Sequence, residues 1–165
     1  MLRRKGLAMS RFVLGFAAAF LFSIQPAKTE CLTTLPSSPI YAPPAPYDSV
    51  HASDNMFWYG TDALWTMLTA DGVWHVDEHG GYVTKLVFWR KGFNWRKELE
   101  PALIVTARRI DGDSPSVAVA HANAVFVTSN TPAMMTGIRI PTAGCWEVTG
   151  HYGGHTLSFV VSVEY

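Results

Sequence analysis

The stretch 144–161, GCWEVTGHYGGHTLSFVV, decides how this chain is read. Two runs rich in β-branched and aromatic residues flank Gly153-Gly154, the composition of a two-residue hairpin turn. Such a turn pairs Tyr152 with His155 and His151 with Thr156, and directly opposed residues share a face. One face then carries Trp146, Val148, Tyr152, His155, Leu157, Phe159 and Val161. The other carries Cys145, Glu147, Thr149, His151, Thr156, Ser158, Val160 and Ser162. A slip of one residue would oppose Trp146 to Ser162 and mix the two sets, so the alternation specifies the register. His151 and His155 therefore diverge and do not share a metal. Cys145 falls on the face away from the core.

Outward from this hairpin the same pattern repeats. MFWYG, DALWTML, GVWHV, YVTKLVFWR, ALIVTARRI, SVAVAHANAVFVT and AMMTGIRI are strand-like, and Gly, Pro, Asp and Asn clusters separate them. No window past residue 27 carries a helical period. Short strands at this spacing predict an all-β chain folded as an antiparallel β-sandwich.

The N-terminus differs in kind. Arg3, Arg4, Lys5 and Arg11 precede a 13-residue apolar run, Phe12 to Ile24. As a helix that run covers about 20 Å, less than the ~30 Å hydrocarbon core of a membrane. Residues 1–27 read as a secretory signal peptide, the alternative being a membrane anchor through 12–24. Removing 1–27 leaves 9 basic against 13 acidic residues, a net of −4. That balance argues against nucleic acid as a partner, and against attraction to anionic lipid. Residues 28–54 form a proline-rich arm, with five of the ten prolines between Leu35 and Pro46. Residues 55–165 form the sandwich domain. The two cysteines of an exported chain predict one disulfide, Cys31–Cys145, which ties the arm back to the last hairpin.

WYGTDALWTML (58–68), KLVFWRKGFNW (85–95), VTARRIDGDSP (105–115) and GCWEVTGHYGGHTLSFVV together resemble a group of uncharacterised bacterial secreted or lipid-anchored proteins over residues 56–165. The resemblance implies a periplasmic or surface setting and no particular activity. Residues 134–163 also resemble the last three strands of immunoglobulin-like domains, which implies that type of sandwich. The Tyr-x-Cys of antibody domains is missing here, so their inter-sheet bridge is not expected.

Chemistry is sparse. HVDEH (75–79) matches a zinc-protease motif letter by letter, but that motif requires a helix and this window is bounded by Asp71-Gly72 and Gly80-Gly81. On a strand, His75, Asp77 and His79 share one face, a donor set suited to zinc or copper. The aromatic residues Phe57, Trp58, Tyr59, Trp65, Trp74, Phe88, Trp89, Phe93 and Trp95 are too many, and too often adjacent, for one core. Some reach the outer face of their sheet. There they either form a binding surface, with Trp89, Arg90, Phe93, Trp95 and Arg96 at its centre, or lie beneath loops or the proline arm. WRKGFNWRKELE reads as a loop, the place where sites are commonly carried. The leading functional expectation is a secreted or periplasmic non-enzymatic module that binds a protein or glycan of the cell envelope without a cofactor. A small periplasmic metal-binding protein using His75, Asp77 and His79 is the alternative, and an enzyme the third.

Overall fold

The computed structural model describes residues 30–47, 52–75, 82–128 and 131–164. Ten strands make two five-stranded sheets that pack face to face. Sheet I runs in the order β1 (Met56–Thr61), β2 (Leu64–Thr69), β4 (Tyr82–Trp89), β8 (Thr131–Ile140), β7 (Asn123–Thr128). Sheet II runs β3 (Val73–His75), β10 (His155–Glu164), β9 (Gly144–Tyr152), β5 (Ile104–Arg109), β6 (Val117–Val119). Every pairing is antiparallel except the short β3 beside β10, which is parallel, so sheet II is mixed. Among the described residues no helix is long and apolar enough to cross a membrane.

The β9–β10 hairpin has the register its sequence demands, with Tyr152 opposite His155 and Cys145 opposite Ser162. Gly153 and Gly154 both take positive φ, 57° and 79°, the backbone that a tight two-residue turn needs. Trp146, Val148, Leu157, Phe159 and Val161 point inward and are buried. They meet Phe57, Leu64, Leu68, Leu86, Phe88, Met134 and Ile138 from sheet I. Trp146 donates its indole N–H to the Thr142 carbonyl at 3.0 Å, which satisfies the one polar atom it buries. Gly150 lies directly beneath the Phe88 ring of the facing sheet. A Cβ there would stand 2.5 Å from Cε1 of Phe88.

Sheet I is apolar on its other side as well. Alternation sends Phe57 and Phe88 inward but sends Trp58, Trp65 and Trp89 outward, where they cluster with Ala133. The arm covers them. Tyr47 meets Trp65 edge-on at 5.2 Å, Trp58 meets Trp89 edge-on at 5.0 Å, and Tyr41 tilts against Trp65 at 6.3 Å. Edge-on aromatic pairs of this kind contribute about 0.5–1.5 kcal/mol each beyond the area they bury.

The start of the arm is fastened to the other sheet. Cys31 and Cys145 form a disulfide. Thr34 then donates its N–H to the Val160 carbonyl and accepts the Val160 N–H on its hydroxyl, both at 2.9 Å. This fills an edge of β10 that β3 is too short to reach. Two residues on, Pro36 has no N–H to continue the ladder. The Ser158 carbonyl instead accepts the Tyr59 hydroxyl at 3.0 Å. The chain leaves β10 there and crosses to the outer face of sheet I.

Two stability measurements check this architecture. Gly150→Ala is expected to destabilise the protein by about 1–3 kcal/mol, because a methyl group is forced against the Phe88 ring. A denaturant midpoint equal to that of the parent would contradict the close approach. Removing the disulfide with Cys31→Ser is expected to cost about 2–5 kcal/mol, hence roughly 10–20 °C in Tm under oxidising conditions. Calorimetry with and without reductant reads this directly: the parent shifts and the variant does not.

Candidate functional site

The two ends of the sandwich are chemically distinct. At one end lie the disulfide, the β2–β3 turn, the β8–β9 turn and the end of β10. At the other lie the β9–β10 turn and the long β4–β5 loop. Tyr152 lies seven residue steps along β9 from Cys145, roughly 23 Å at ~3.3 Å per residue.

The disulfide end carries a cleft of about 930 Å³, lined by Glu30, Cys31, Asp71, Arg109, Asp111 and Glu164 among others. Arg109, Asp111, Asp71 and Glu164 have partners within this end. Arg109 Nε donates to Asp111 Oδ1 at 2.7 Å. The guanidinium lies over Gly144, where any Cβ would collide with it. This contact, with help from the Cys145 N–H, holds the Asp111 carboxyl below the usual carboxylate range. Asp71 accepts the Val73 N–H at 3.0 Å, which lowers its carboxyl too. Glu164 accepts the Ser162 hydroxyl at 2.9 Å. The cleft is built as a clasp around the bridge.

The β4–β5 loop is folded rather than slack. Asn94 organises its middle: its side-chain oxygen accepts the Arg96 N–H, and its carbonyl accepts the N–H groups of Lys97 and Glu98. Tyr152, at the end of β9, is the post around which the loop closes. Phe93 packs edge-on to its ring at 6.1 Å, and the Arg90 guanidinium stands 5.6 Å above it. Its hydroxyl donates to Glu98 Oε2 at 2.6 Å. Burial and the Glu98 carboxylate push the Tyr152 phenol up to about 12. Arg90 also occupies the space that a side chain at Gly153 would need. Farther along, the Leu99 carbonyl accepts the Ala124 N–H at 2.8 Å, which lays the loop across the edge of β7.

What this loop presents to solvent differs from the sequence expectation in two residues. Trp89 is only 1% exposed and Phe93 only 7%, so neither belongs to a surface. Trp89 belongs to β4 and lies under the arm. Phe93 turns inward against Tyr152, because a loop of this length needs an apolar anchor to be held. Arg90 is half-buried over Tyr152. Trp95 is half-buried, with the Arg96 guanidinium 4.7 Å above its ring and Phe126 of β7 edge-on at 4.9 Å. Phe126 is 50% exposed and joins Trp95 and Arg96 in this patch, while Leu99, 65% exposed, stands on the same loop where its carbonyl meets Ala124 of β7. Phe126 and Leu99 were not singled out from sequence. Phe126 alternates with Val125 like any strand residue, and only its place on an edge strand leaves it open.

Of the metal-ligand set, His75 is exposed at the end of β3, and Asp77 and His79 lie outside the described residues. Among the described residues no three His, Cys, Asp or Glu side chains stand close enough to hold a metal ion. His151 and His155 are both exposed, on opposite faces of the hairpin, and His151 Nδ1 lies 3.1 Å from the Thr156 hydroxyl. No protein-family model, curated protein or solved structure matches this chain.

The raised phenols have a readable consequence. A tyrosine whose folded value lies above its unfolded value of about 10 contributes stability that is fully present below pH 10 and is lost as pH rises through the folded value. For Tyr152 that window is pH 10 to about 12. Burial raises Tyr47, and burial together with Asp62 raises Tyr41, so they act in the same direction. Stability measured by urea titration is expected to fall across this window, and Tyr152→Phe is expected to flatten the fall. An unchanged slope in the variant would contradict the assignment.

Proposed function

We propose that the chain is a secreted or periplasmic, non-enzymatic recognition module of the bacterial envelope, immunoglobulin-like in its last strands, that holds a protein partner at its loop end. The observation that carries this reading is the patch in which Trp95 and Arg96, on a loop braced at Tyr152, meet the exposed Phe126 of β7, with the exposed Leu99 on the same loop. Exposed apolar side chains gathered beside Arg96 and Lys97 have the composition of a protein contact: aromatic and aliphatic at the centre, with arginine at the rim. A braced loop also loses little entropy on binding. A protein suits the patch better than a glycan does. A sugar ring stacks on an open aromatic face, and Arg96 already stands over the face of Trp95.

The clasp at the opposite end supports the setting. A disulfide that fastens the arm is consistent with an oxidising compartment.

Co-sedimentation with washed envelope preparations tests the reading. The parent protein is expected to sediment with them, and protease treatment of the envelopes to abolish this. Phe126→Ser and Arg96→Glu are each expected to reduce the bound fraction by about five-fold or more, the size of effect typical of a central contact residue. Both positions are exposed enough for the fold to survive, which circular dichroism checks. Sedimentation undiminished in both variants would sink the proposal.

A further inference from the structure

The outer face of sheet I has the chemistry of a groove as well as of a core. Its floor is Trp58, Trp65 and Trp89, with Met67, Val87 and Val125 around them. Its present occupant is residues 41–47, YAPPAPY, of which Pro43 and Tyr47 are buried. A proline-rich segment whose Tyr41 and Tyr47 rings pack on Trp65 has the character of the extended proline-rich peptides that aromatic-lined grooves take. In such pairing an indole N–H can donate to a carbonyl of the peptide backbone. Trp65 and Trp89 stand directly opposite each other on β2 and β4. Both are essentially fully buried, and the Nε1–H of each has no acceptor. The arm thus supplies apolar cover but leaves two adjacent donors unused.

The arm also has the means to leave. The covering residues lie between two fixed points, the Cys31–Cys145 bridge and the start of β1 at Met56. They can lift without breaking the bridge or unpairing a strand. What holds them is contact with the groove, the Tyr41 hydroxyl donating to Asp62 Oδ1 at 3.1 Å and the Tyr47 hydroxyl to the Arg90 carbonyl at 3.3 Å, together with the high effective concentration of a tethered segment.

We propose that this face is a recognition groove for extended proline-rich segments, occupied in cis by residues 41–47, and that a proline-rich segment of another protein displaces them by bringing carbonyls to the Trp65 and Trp89 indoles. The tether makes the arm a strong competitor, so the groove reveals itself when the arm is weakened. Tyr47→Ser does this by removing the side chain seated on Trp65.

The test uses the full disulfide-bonded chain and a fluorescein-labelled proline decamer, with binding read by anisotropy. The decamer is expected to bind Tyr47→Ser at least ten-fold more tightly than it binds the parent. Binding is also expected to move the Trp65 and Trp89 indole N–H resonances downfield. If Tyr47→Ser loses the near-ultraviolet dichroism of the folded chain, Tyr41→Ser, altered at the half-buried rim, takes its place under the same criterion. A labelled peptide of residues 35–47 serves as the comparison. If that peptide binds the weakened protein and the decamer does not, or if neither binds, the face is a covered part of this fold alone and the proposal is overturned.

Discussion

Trp58, Trp65 and Trp89 project from the side of sheet I that faces away from sheet II, and water on that side would be costly. A tryptophan buries up to about 250 Å². At about 25 cal/mol per Å², three of them amount to roughly 19 kcal/mol as an upper bound, and less once the compactness of the unfolded chain is counted. That is comparable to the whole net stability of a domain this size. The sandwich therefore needs a third layer, and the proline-rich arm is that layer. Proline suits the task. It loses little backbone entropy on ordering, and it offers no N–H that would want a ladder partner.

A segment without a ladder must be held by other means, and the rest of the N-terminal structure follows from that need. Tyr47 and Tyr41 seat the far part of the arm in the aromatic cluster. The near part is held by the Cys31–Cys145 bridge and by the two Thr34–Val160 hydrogen bonds on β10. The cluster around Cys145 is arranged for the same end. Arg109 bridges Asp111 and the space over Gly144, which fixes the start of β9 where the bridge joins it. The cover is not perfect. A buried donor without an acceptor costs about 1–3 kcal/mol, and two indoles are left in that state beneath the arm. Those two unused donors are the observation on which the proposed groove rests.

The clasp and the loop patch sit at opposite ends of β9, and this separation lets each be specialised. The disulfide end pairs Arg109 with Asp111 and gives Asp71 and Glu164 hydrogen-bond donors from the same end. The loop end braces itself on Tyr152 and leaves Arg96, Leu99 and Phe126 to solvent. A loop that spends Phe93 on its own anchoring keeps its remaining apolar side chains available for contact. The distinction explains why Trp89 and Trp95, six residues apart and alike in chemistry, have different fates. One is a strand residue under the arm, the other a loop residue at an edge.

Local physics settled much of this protein before any tertiary contact. Alternation around Gly153-Gly154 specified the register of the last hairpin, because a one-residue slip would reverse every side chain. Turn residues marked where most strands end. Two cysteines in a chain with an export-like leader implied one bridge, and adjacent aromatics implied that some must leave the core. Period-two alternation says which residues share a face, but it says nothing of what lies across that face. Only the packed structure decided that the arm covers Trp58, Trp65 and Trp89, and that 117–128 divides between sheets as β6 and β7. It also decided that Phe93 turns inward while Phe126 stays open. Those outcomes depend on which distant segment arrives at a surface, and contact between segments far apart in the chain leaves no periodic trace in either one.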